Sequence, residues 1–137
     1  MKKAILPAGW VKPRGYANGV AAQGTQVHIA GQIGWDANER FTSSEFGAQA
    51  AQALRNIAAV LEAAGGRPEH LVRLTWYVTD KREYLASLKA IGAAFRESIG
   101  DYDIAMSAFE VTALMEDEAK VEIEATAVIP DGIQSAA

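Results

Sequence analysis

From Lys120 to Ile129 the chain alternates, with Val121, Ile123, Ala125 and Ala127 on one side of an extended segment and Lys120, Glu122, Glu124 and Thr126 on the other. A period of two sustained this long predicts a strand with one apolar face, and such a face requires a layer to cover it. The other side also carries Val128, so it is too apolar to be simply solvated. A partner subunit is expected there. Glu122 and Glu124 share that side about 7 Å apart, where two carboxylates can divide acid–base work. The plainer explanation is a pair of solvent-facing positions on an edge strand. Glu110, on the other closing strand, is expected to add a third carboxylate to the same face.

The covering layer can be read upstream. Phe46, Ala50, Ala53, Leu54, Ile57, Leu61 and Ala64 recur at helical spacing behind Ser43 and Ser44, which stand as caps, and Gly65-Gly66 ends the run. A second helix is predicted after Asp80, with Tyr84, Leu88, Ile91, Phe95 and Ile99 as its apolar stripe and Gly100 as its stop. Strands are predicted at Val27–Ala30, Leu71–Val78 and Ala105–Thr112. In the second of these, Val72, Leu74, Trp76 and Val78 oppose Leu71, Arg73, Thr75 and Tyr77, and bulk on both faces predicts cover on both. Glycines three apart in Gly31-Gln32-Ile33-Gly34-Trp35 predict a bend or bulge. Residues 11–24, dense in Gly and Pro, read as an extended or hairpin-like opening. The result is an α/β (α+β) fold, a mixed sheet with two helices on one face, in a single domain over residues 1–137.

Composition narrows the functions. A net charge of −4 with scattered Lys and Arg offers no stripe for a phosphate backbone, so no nucleic-acid partner is expected. With no cysteine, disulfides, thiolate metal sites and a thiol nucleophile are excluded. Two histidines, His28 and His70, cannot build a multi-imidazole metal site, and neither has a Ser and Asp arrangement around it. No metal or organic cofactor is expected. Pro7 and Gly9 interrupt the short apolar stretch after Lys2-Lys3, and no apolar run nears the roughly 20 residues that span a bilayer, so the cytoplasm is the default location.

Arg14 stands between Pro13, which stiffens its approach, and Gly15, which frees its exit to Tyr16. A guanidinium binds a carboxylate in bidentate fashion and a phenol adds one directed hydrogen bond. An arginine in solvent beside an aromatic anchor explains the string about as well.

Taken together, Ala30-Gly31-Gln32-Ile33, Gln52-Ala53-Leu54-Arg55-Asn56-Ile57, Ala63-Ala64-Gly65 and Lys120-Val121-Glu122-Ile123-Glu124-Ala125 stand in an order and spacing that resembles the RidA/YjgF family, also described as L-PSP endoribonuclease. The resemblance runs from Gly15-Tyr16 to Ala127. It implies a chorismate-mutase-like fold, a homotrimer whose sheets form a central barrel, and small-molecule pockets at the subunit interfaces. It also implies hydrolysis of reactive enamines and imines such as 2-aminoacrylate to a keto acid and ammonia, without a cofactor. The family's water-orienting glutamate falls on Glu122 and its pocket tyrosine on Tyr16. Its substrate-binding arginine does not survive: where the family reads Pro-Ala-Arg-Ser, this chain has Ile104-Ala105-Met106-Ser107. The serine before Gly-Gln becomes Ala30, and the asparagine of the second helix becomes Leu88. On this basis Glu122 and Tyr16 are the expected catalytic residues, and Arg14, Gly31, Gln32, Trp35, Leu88, Met106 and Ala108 line the substrate. Two other readings compete, a trimeric small-molecule-binding module without chemistry and, least favoured, a ribonuclease.

Overall fold

The computed structural model describes residues 2–100 and 103–132. Along them run β1 (Lys2–Ile5), β2 (Gly19–Ala22), β3 (Thr25–Ile33), α1 (Phe46–Ala63), β4 (Leu71–Val78), α2 (Lys81–Ala86), α3 (Leu88–Ser98), β5 (Ala105–Glu110) and β6 (Val121–Ile129). The main sheet has the order β3-β6-β4-β5, antiparallel on both sides of β6 and parallel between β4 and β5. The α+β architecture matches the expectation. Leu54, Ile57 and Leu61 of α1 and Ile91 of α3 share one core with Leu74, Trp76, Ile123 and Ala125 of the sheet. The alternation of β6 is obeyed throughout, with every odd position from Val121 to Ile129 buried.

The second helix is not continuous. At Ser87 the backbone leaves helical geometry (φ −102°, ψ 6°) and divides α2 from α3, so the expected pair of helices becomes α1 and a broken partner. The Ser87 hydroxyl donates to the Glu83 carbonyl at 2.7 Å, the local competition by which serine loosens a helix interior. The apolar stripe continues across the break, which is why periodicity reads through it.

Two further corrections concern register. The opening hairpin pairs Lys2 with Ala22 and Ile5 with Gly19, so half of it precedes the Gly- and Pro-rich stretch. In β4 the pairing with β6 slips between Leu71 and Arg73. That bulge turns Leu71 into the core, fully buried, and leaves Val72 half-buried, against the strict alternation expected of them. Arg73 is exposed and Tyr77 half-buried, so within one chain β4 is fully covered only on its helix side. The N-cap of α1 is Glu45; Ser43 instead accepts from the Glu45 amide through its hydroxyl at 3.0 Å. None of the helices among the described residues is long and apolar enough to cross a membrane.

Candidate functional site

The predicted site residues fall into two groups. The first lines a cleft of about 770 Å³ beside the edge strand β5, where Arg14, Tyr16, Leu88, Met106 and Ala108 meet. Gly15 has a positive φ of 78°, which turns the Arg14–Tyr16 loop along the cleft, and Ala17 bridges Ala105 to fix that loop to the sheet. Met106 and Ala108 are level with Leu74 and Trp76 and share their helix-facing side. Trp76, Tyr84, Ile91 and Phe95 complete an apolar interior, and burial pushes the Tyr84 phenol up from its usual range.

The second group lies on the open face. The β3–β6 register shifts between Ile29 and Gln32, the bulge predicted from the paired glycines, and a Cβ on Gly31 would collide with the Glu122 carboxylate. Glycine is therefore required for that carboxylate to lie against the β3 backbone. Among the described residues Glu122 receives no protein hydrogen bond. Glu124 differs: its Oε1 accepts from the Tyr77 hydroxyl at 2.6 Å, and this bond is the main cause raising the Tyr77 phenol, with burial next. The expected third carboxylate is absent from this face. Glu110 is level with Val78 and Val121 on the helix side, where its Oε1 accepts from the Lys81 amide at 2.8 Å.

Gln32 and Trp35 join neither group. The Gln32 amide donates to the Ala30 carbonyl at 3.1 Å, and Trp35 packs on Phe41 with ring centroids 5.8 Å apart while its carbonyl accepts from Asn56. Nor does one chain unite the expected catalytic pair. Tyr16 adjoins the start of β5, whereas Glu122 is level with Tyr77 and Phe109 near its end. Strand spacing and rise put their backbones about 20 Å apart. Residue-by-residue reasoning missed Arg96 and Lys12, which also line the cleft. Arg96 follows Leu88 by eight residues, and that spacing was the available signal.

The family model described as Endoribonuclease L-PSP matches residues 11–129. This chain belongs to the RidA/YjgF family. It is 35% identical over 113 residues to a 2-iminobutanoate/2-iminopropanoate deaminase of Salmonella typhimurium, covering 82% of this chain and 86% of that one. A crystal structure of a Rid-family protein from Yersinia pestis superposes with a TM-score of 0.82 at 34% identity, covering 93% of this chain and 98% of that one. Escherichia coli TdcF, solved with bound serine, gives 0.69 at 27% identity over 93% and 99% of the respective chains.

Proposed function

We propose that this protein hydrolyses reactive enamine or imine metabolites to a carbonyl compound and ammonia, with a substrate choice moved away from 2-aminoacrylate. The observation that carries this reading is the Glu122 carboxylate, laid against the bulged backbone at Gly31 and free of the hydrogen bond that occupies Glu124. Such a group can orient water for attack on an imine carbon: the C–O bond forms, the C–N bond breaks, and a proton passes to nitrogen as ammonia leaves. Support also comes from the Salmonella relative, named for deamination of two small imino acids. Tyr16 closes or polarises the pocket, and Met106 forms part of its apolar wall.

The distance between Tyr16 and Glu122 in one chain makes a shared site the natural solution. In this reading three copies join their open faces and each cleft receives the Glu122 of a neighbour. Met106 removes the cation that would hold a small imino acid, and losing a charge-assisted hydrogen bond costs on the order of 1.5–3 kcal/mol, roughly one to two powers of ten in binding. Arg14 replaces that cation from the loop, which suits a larger acid of the aminomuconate kind.

The test is ammonia release from enamines and imines generated in situ, with the mass in solution measured in parallel. Arg14→Ala is expected to slow turnover of acidic substrates roughly tenfold or more. If every acidic enamine is processed at an unchanged rate, the role of Arg14 is wrong. Ligand-induced thermal stabilisation without turnover would favour the competing reading, a binding module, to which the substitution at Met106 lends some weight.

A further inference from the structure

The cleft beside β5 carries more positive charge than a simple imino acid requires. Among the described residues three cations line it, Lys12, Arg14 and Arg96, against one carboxylate, Asp103, in a chain whose net charge is −4. Arg14 and Arg96 have no ion-pair or hydrogen-bond partner among the described residues. They rise from different elements, Arg14 from the loop and Arg96 from α3. Apolar side chains, Trp76, Leu88, Phe95 and Met106, also line it.

Arg96 is also given room. A helical side chain leans toward the helix N-terminus, so that of Arg96 reaches back to position 92. That residue is Gly92, where a Cβ would make ordinary van der Waals contact with Arg96 Nη1 at 3.4 Å and only a longer side chain would compete with the guanidinium for space. A glycine in a helix interior costs stability relative to most side chains, so an open seat here calls for a reason. We infer that Arg96, lying over Gly92, is a second anion-binding position of the cleft, and that the preferred substrate is an imine bearing two acid groups. The inference rests on the deaminase reading and deepens it: Arg14 takes one carboxylate, Arg96 the other, and the apolar lining takes the carbon chain between them. Guanidinium suits this role because it presents a planar pair of donors to each carboxylate.

The experiment compares two imines made in situ by amino-acid oxidases with catalase present, one from glutamate and one from 2-aminobutanoate, and follows the keto acid and ammonia formed above the buffer rate. The native protein is expected to favour the diacid. Arg96→Ala should cut kcat/KM for the diacid imine about 10- to 100-fold, chiefly through KM, and collapse the diacid-to-monoacid ratio. Gly92→Leu fills the seat with a good helix former and should collapse the same ratio without lowering Tm, which a purely structural role for Arg96 does not predict. An unchanged ratio in Arg96→Ala, or no diacid preference in the native protein, overturns the inference. Should neither imine be processed, that result counts against the deaminase reading and not against the anion site. The anion site is then decided by thermal shift with 2-oxoglutarate against 2-oxobutanoate: an Arg96-dependent preference for the former sustains it, and equal shifts end it.

Discussion

The two faces of the β3-β6-β4-β5 sheet are built to different rules. On the helix side Leu74, Val78, Val121 and Ile123 are almost wholly buried within one copy of the chain. On the other side Arg73 and Glu124 are exposed, Glu122 and Tyr77 are half-buried, and Tyr77 stacks on Phe109 with centroids 6.2 Å apart. The first face is finished within one chain by α1 and α3. The second is polar and aromatic and only partly covered within one copy; it is the face that our proposal gives to a neighbouring copy. On the proposed reading, stability and chemistry fall on opposite sides of one strand, with successive residues of β6 serving each in turn.

Breaking that division should give effects of graded size. The largest is expected on the open face: Glu122→Gln keeps the shape and removes the charge, so imine hydrolysis should fall about 10²- to 10⁴-fold while the denaturant midpoint stays close to native. Loss of stability without loss of turnover would reverse the assignment. One residue along, Ile123→Ala opens a cavity on the finished face and should cost about 2–5 kcal/mol in urea unfolding, with per-molecule activity kept in the remaining folded fraction. The smallest effect concerns His70, buried where the chain enters β4, whose Nδ1 accepts from the Arg67 amide at 3.0 Å. Burial first, then the Arg67 charge, lowers its pKa below 6.5. A lowered value means the unfolded chain takes up this proton before the folded one does. Stability from this group is therefore complete above pH 6.5 and declines as pH falls below it. Thermal melts of His70→Asn should lose part of the native decline between pH 7 and 5; an identical slope would show that the decline arises elsewhere.

What could be read from the sequence follows the same division. The strand at Leu71–Val78 and the body of α1 are visible because burial enforces their periods, and the bulge at Gly31 because glycine marks it. The break at Ser87 is hidden since the stripe from Tyr84 to Phe95 runs through it, and the slip at Val72 because the bulge carries no glycine. In the cleft, Arg14, Tyr16, Leu88, Met106 and Ala108 came from a local string and a family pattern. Arg96 fits neither, and its spacing from Leu88 gains meaning once α3 is set against β5. Trp35 and Gln32 lie near Gly31 in the chain, yet their contacts are local, and nearness in sequence did not carry them to the cleft.

One contact has a reach beyond its own neighbourhood. Gln49 is buried in α1; its amide nitrogen donates to the carbonyls of Ser43 and Glu118 at 3.1 and 2.9 Å, and its oxygen accepts from the Lys120 amide at 2.9 Å. Gly34 admits it, since a Cβ there would stand 2.5 Å from that of Gln49. A glutamate at 49 would set a carboxylate against two carbonyl oxygens, and a leucine would orphan all three backbone groups. Positions 34 and 49 are therefore both constrained, since a side chain at 34 or the loss of the amide at 49 would disturb the root of the strand that carries Glu122 two residues later.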